Sequence, residues 1–169
     1  MVFVPEAEPV VGDLRLLHDP SAAAGASAHI TVLFPFMAPA ALTPAVLDRC
    51  AAVIASHAAF SFRLDTVGRF PATTYLEPSP AAPFVALTHA LWGAFPAFPP
   101  FRGEFASVVP HLTVSHGDEA SAPRVASQLR ERVAKDVTDE DPAAGCAERP
   151  KREDVVLVLE HDRLGPDHP

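Results

Sequence analysis

Two tetrapeptides of this chain match: His29-Ile30-Thr31-Val32 and His111-Leu112-Thr113-Val114. The two histidines are 82 residues apart, close to half of the 169-residue length. The chain has 8 histidines, too few for random order to supply two such runs. A short linker and then a helical pattern follow each, so the sequence reads as two copies of one supersecondary unit. Two such units pack about a pseudo-two-fold axis, which brings equivalent residues to opposite sides of one cleft. In an extended chain, residues i and i+2 share a face. His29 and Thr31 therefore point one way, while Ile30 and Val32 point into the core. His111 and Thr113 repeat this, with Leu112 and Val114 buried.

The segments around the motifs are mixed. Val2–Pro5 reads as a short strand, and Glu6–Leu17 carries Val10, Val11, Leu14 and Leu17 at helical spacing. Asp19–Ala28 reads as a loop and His29–Phe36 as a buried strand stopped by proline. Thr43-Pro44 is an N-cap with proline at the first helical position, opening a helix over Pro44–His57. It is expected to bury Val46, Leu47, Cys50, Val53 and Ile54. Phe60–Val67 alternates with period two, and Thr73–Glu77 is a second short strand. Phe84–Phe95 reads as a helix whose Leu87, Leu91, Trp92 and Phe95 form one packing face. Phe105–Val109 and His111–Ser115 are extended, and Ala122–Val137 is a charged helix. An acidic loop over about 138–152, a strand over Asp154–Glu160 and a short tail over 164–169 complete the chain. This is an α+β pattern, read as one unit over 1–169. The 19 prolines sit mainly at the ends of apolar segments, as in a folded domain.

Composition narrows the partners. The net charge is −8, and neither the part through Gly117 nor the part from Asp118 on is expected to offer the basic surface that an extended nucleic acid needs. A short anionic ligand held by local donors fits better. No apolar run approaches the roughly 20 residues of a membrane span. The start lacks a positively charged segment ahead of an apolar one, so no secretory signal is expected. Cys50 and Cys146 make no disulfide or metal pattern, and reduced thiols in a cytoplasm are the simplest reading. A monomer is the expected state.

Two imidazoles and two hydroxyls about one point suit a phosphodiester. In-line displacement at phosphorus needs a base on the nucleophile and an acid on the leaving oxygen. Histidine serves both jobs near neutral pH. Hydroxyls can donate to the non-bridging oxygens, where charge builds up. No metal or cofactor is required, and water can be the nucleophile on a 2′,3′-cyclic phosphate.

HITV and HLTV resemble the paired His-x-Thr/Ser motifs of the two-histidine (2H) phosphoesterase superfamily. The text around them is closest to its 2′-5′ RNA ligase-like and cyclic phosphodiesterase branch. FRGEFASVVPHLTVSHG resembles that family's approach to its second motif, and DTVGRFPATTYLEPSP its central hairpin. The resemblance runs over most of Val2–Gly117. It implies a bilobal, duplicated α+β fold with antiparallel sheets and a central cleft. It also implies metal-independent cleavage or formation of 2′-linked phosphodiesters in nucleotides or RNA ends. By motif position, His29 and His111 carry over as acid and base, in an order left open, and Thr31 and Thr113 as phosphate ligands. Many relatives have an arginine three residues after the second threonine, where this chain has His116. A histidine there would hold phosphate only when protonated. Family members also often continue into a further strand with a tryptophan, so the end of this chain is expected to be short beside theirs.

Other residues divide between roles. Tyr75, on the hairpin, is a candidate for stacking on a base or donating to phosphate. His116 is a candidate phosphate or substrate contact. Phe34 and Phe36 are read as core before base platform, and Arg102 as a solvated loop residue. His57 and His89 lie on helices without a chemical partner, and the acidic run Asp136–Asp141 is read as solvated. The leading reading is a two-histidine hydrolase of 2′,3′-cyclic phosphates or 2′-5′ linkages. Alternatives are a specialised enzyme for another small cyclic nucleotide or an ADP-ribose cyclic phosphate, a non-catalytic nucleotide or RNA-end binding module, and a metal site built from His29, His111 and His116. The last lacks carboxylate or cysteine ligands nearby in sequence.

Overall fold

A computed structural model of the chain describes residues 1–139. The expected strand Asp154–Glu160, the tail, Cys146 and most of the acidic loop lie outside the described residues. The strands are β1 (Val2–Phe3), β2 (His29–Ile30), β3 (Arg63–Phe70), β4 (Thr73–Ser79) and β5 (Leu112–His116). The helices are α1 (Glu8–His18), α2 (Pro20–Ala23), α3 (Pro44–Ala55), α4 (Ala82–Ala94) and α5 (Ala122–Asp139). The strands form one five-stranded antiparallel sheet in the order β1-β2-β5-β4-β3. This is the α+β class expected from the sequence.

One face of the sheet is apolar. Ile30, Leu76, Leu112 and Val114 from it join Val11 and Leu14 of α1 and Val125 and Leu129 of α5 in a single core. Six of these eight side chains are 0% exposed, and burial on that scale is the main force fixing the sheet against its helices. A polar core residue is satisfied: buried Thr74 donates through its hydroxyl to the Ala122 carbonyl at the start of α5. Helices α1 and α5 are joined on the outside by Arg132, which meets both carboxylate oxygens of Asp13.

Helices α3 and α4 pack on each other, and the Thr88 hydroxyl of α4 donates to the carbonyl of Val32, the last residue of the first motif. Thr43 caps α3 as expected, accepting from the Val46 amide. Of the residues expected to be buried on α3, only Cys50 is fully so, and Leu47 is exposed. Trp92, expected on the packing face of α4, is also exposed.

Two strand boundaries differ from the sequence reading. The run His29–Phe36 is a strand only over His29–Ile30, because its outer neighbour β1 is itself two residues long. The alternating segment from Phe60 becomes a strand only at Arg63. Its first phenylalanines, Phe60 and Phe62, pack edge-on against Phe84 instead of entering the ladder. The Asp19–Ala28 loop contains a short helix, α2, capped by the Asp19 carboxylate.

Candidate active site

The two motif strands are neighbours. Ile30 lies opposite Leu112, and both are completely buried. The same antiparallel register, carried one residue outward on each side, sets His29 beside Thr113 and Thr31 beside His111. An antiparallel pair has a local two-fold axis normal to the sheet. Here that axis relates His29 to His111 and Thr31 to Thr113. All four side chains are half-buried on the face turned away from the core.

The histidines are held alike. His29 Nδ1 lies 2.8 Å from the Ser27 carbonyl oxygen, and His111 Nδ1 lies 2.7 Å from that of Val109. A carbonyl can only accept, so each Nδ1 carries the proton and each neutral ring has its lone pair at Nε2. In both motifs the backbone two residues upstream thus sets the tautomer. The two rings present the same reactive atom.

Strand β4 supplies the next layer. Tyr75 lies opposite Thr113, and its ring centroid is 5.1 Å from that of His111. Phe70, at the end of β3, stands 4.5 Å from Tyr75 and 5.3 Å edge-on from His111. Tyr75 is only 5% exposed, and its hydroxyl is hydrogen-bonded to Glu77. Burial first, and then the Glu77 charge, push the phenol above its ordinary range. The open ring of this cluster is Phe70. On the other side of the pair, the Phe3 ring approaches His29 edge-on at 6.4 Å.

A β-bulge brings His116 to the same face. The β4–β5 register slips between Thr74 and Tyr75, so that Thr74 pairs Ser115 while Tyr75 pairs Thr113. The additional residue, Val114, changes the parity of the strand. Without it, His116 would point opposite to Thr113. With it, His116 pairs Thr73, and its Nδ1 lies 2.8 Å from the Thr73 hydroxyl. The charges of His29 and His116 both act on His111. Burial and then these two neighbours hold the His111 imidazole below its ordinary range, outweighing the Val109 carbonyl.

The sequence profile of the 2′-5′ RNA ligase superfamily matches residues 3–144. The chain belongs to the 2′-5′ RNA ligase superfamily. No curated protein and no solved structure matches it. The profile covers both motifs of this superfamily member and all of the sheet but Val2.

Of the candidate residues named from the sequence, this 2′-5′ RNA ligase superfamily chain brings His29, Thr31, His111, Thr113, Tyr75 and His116 to one face. Arg102 is exposed in the turn Pro100–Gly103, where it and Phe101 have left-handed φ of 57° and 48°. The Phe101 amide of that turn donates to the carbonyl of Phe34, which joins the approach to the second motif with the exit from the first. Phe36 packs edge-on against Phe95 and Phe98, whereas Phe34 is exposed. His57 lies two residues past the end of α3 and bonds the Val53 carbonyl of that helix, and His89 packs against Trp92. Sequence reasoning missed Gly68, Phe70, Glu77 and Phe3. A glycine inside a strand was the available signal for Gly68, since it marks a close approach. Among the described residues, no group of three or more His, Cys, Asp or Glu side chains is placed to hold a metal ion, and no helix is long and apolar enough to cross a membrane.

Proposed function

We propose that the chain is a two-histidine phosphodiesterase acting on 2′,3′-cyclic phosphates or 2′-5′ linkages of nucleotides or RNA ends. One observation carries this reading. Two imidazoles on adjacent strands are held by equivalent Nδ1 bonds, and each has a threonine of the other motif beside it. Membership of the superfamily supports it.

His111 is the base in this reading, because burial and two neighbouring imidazoles favour its neutral form. Water placed at phosphorus gives its proton to His111 Nε2 as its oxygen bonds phosphorus. The bond from phosphorus to one ribose oxygen breaks on the opposite side. His29, protonated, gives that oxygen its proton. Thr31 and Thr113 donate to the non-bridging oxygens, whose charge grows in the transition state. His116 adds a contact to phosphate, and Tyr75 holds the His111 ring in place. The substrate is small in this reading, because a net charge of −8 disfavours holding a long nucleic-acid strand.

The test is turnover of nucleoside 2′,3′-cyclic phosphates and of a 2′-5′ dinucleotide in the presence of a chelator, beside His29→Ala and His111→Ala. Turnover that persists under chelation and nearly vanishes in either variant supports the reading. Product from wild type and variants alike overturns the assignment of these histidines. Tight nucleotide binding without product turns the reading into a binding module.

A further inference from the structure

The two motif strands are joined by very little ladder. β2 is two residues long, and Ile30↔Leu112 is the only register pair between it and β5. A slip by one residue would turn every side chain of β2 to the other face. His29 and Thr31 would then enter the core. A second element must hold this register.

That element is a buried guanidinium. Arg15, on α1, is 2% exposed and touches three groups. Its Nε donates to the Thr113 carbonyl at 3.1 Å, one residue before the bulge of β5. One terminal nitrogen reaches Glu8 Oε1 at 3.4 Å and the other Asp19 Oδ2 at 3.2 Å. The same Glu8 oxygen accepts the backbone N–H of Ala28, the residue before His29. The Ala28 carbonyl is taken by the Val4 amide, so both backbone groups of this residue are fixed. A continuous path of charge-assisted hydrogen bonds thus runs from Ala28 through Glu8 and Arg15 to Thr113. It links the first motif to the second behind the sheet.

We propose that Arg15 is a positioning residue that sets the register and spacing of the two histidine strands, with Glu8 as its arm to the first motif and Asp19 as its brace. The planar guanidinium is required. Lysine keeps the charge but has no rigid fork to reach a carbonyl and two carboxylates in fixed directions. The effect on turnover rests on the function proposed above. The effect on the two rings does not.

The first test needs no substrate. The His111 imidazole is titrated by NMR with and without His29, in wild type and in Arg15→Lys. A nearby positive charge disfavours charging of His111, so His29→Ala raises its midpoint in the wild-type background. In Arg15→Lys this increment is expected to shrink or vanish while the fold, read by circular dichroism, persists. An unchanged increment overturns the proposal, even if turnover is never found. Glu8→Gln, which keeps the acceptor for Ala28 but loses the ion pair, tests the path from its other end and is expected to shrink the increment in part. The second test is kinetic. A displacement of about 1 Å in such a site costs about a hundredfold in rate. Arg15→Ala is expected to lose that much kcat with KM little changed, and millimolar guanidinium is expected to restore part of it where sodium does not. Full kcat in Arg15→Ala, or equal recovery with sodium, also overturns the proposal. If wild type itself turns nothing over, the proposed function fails and the NMR result still decides the role of Arg15.

Discussion

The ring of Tyr75 lies across Gly68, its partner on the neighbouring strand, where any Cβ would collide with it. Gly68 therefore sets the height of Tyr75, and Tyr75 backs His111. Gly68→Ala is expected to lower stability by about 1–3 kcal/mol, the usual range for overpacking. It should also reduce turnover at temperatures where the variant is fully folded. Chemical denaturation and kcat measured on the same samples check both.

Tyr75 is the only tyrosine of the chain, so ultraviolet absorbance reads its ionisation alone. The phenol is expected to ionise above the ordinary tyrosine value of 10.0, held up by burial and by Glu77. Glu77→Gln removes the charge and is expected to bring the midpoint down. A midpoint unmoved by that substitution would show that burial alone acts on Tyr75.

For the His111 imidazole, the direction of the shift fixes the pH dependence. Its folded midpoint is depressed below the ordinary 6.5, so just below that pH the unfolded chain binds the proton more readily. This group therefore makes stability rise with pH through the window beneath 6.5 and level off above it. In the proposed mechanism it also places the acid limb of kcat/KM below 6.5. His116→Asn removes one neighbouring cation and should move that limb up. A limb that stays in place would separate His116 from the site.

Thr31→Val and Thr113→Val keep the shape of each side chain and delete its hydroxyl. Each is expected to lower kcat by about a hundredfold, as for loss of one donor to developing charge. Steady-state kinetics on a 2′,3′-cyclic phosphate decide it, and a rise in KM alone would assign the hydroxyls to ground-state binding.

Asp13 gives a stability test remote from the site. The Arg132 hydrogen bonds lower its pKa from 3.8 to about 2. Its contribution is present above the unfolded value and is lost as pH falls towards about 2. Asp13→Asn should lower the melting temperature slightly at neutral pH and flatten that acid segment. Thermal melts at several pH values read both effects.

Much of this site was legible in the repeat. His-x-Thr in an extended chain puts imidazole and hydroxyl on one face whatever surrounds it, and the aliphatic residues between them had to be core. Ile30 and Leu112 are that core. The rest depended on partners that periodicity does not show. Strand length at His29 was set by the length of β1, not by its own apolar run. The side on which His116 emerges was decided by a bulge at Val114, which no residue type announces. Tyr75 could be placed on the hairpin, but its burial came from Phe70, Gly68 and Glu77 on the same hairpin. Arg15 carried no signal of its own, because its three partners are 4, 7 and 98 positions away.

The two motifs agree through Val32 and Val114 and then diverge. Three residues past Thr31 stands Phe34, an apolar ring open to water. Three residues past Thr113 stands His116, a polar ring tied to Thr73. A centre related by a two-fold axis has no means of telling one end of a phosphodiester from the other. The flanks of this one are unlike, one apolar and one polar. In the proposed mechanism the two ends of a small phosphodiester therefore meet unlike surroundings, and the choice of leaving oxygen is expected to follow them.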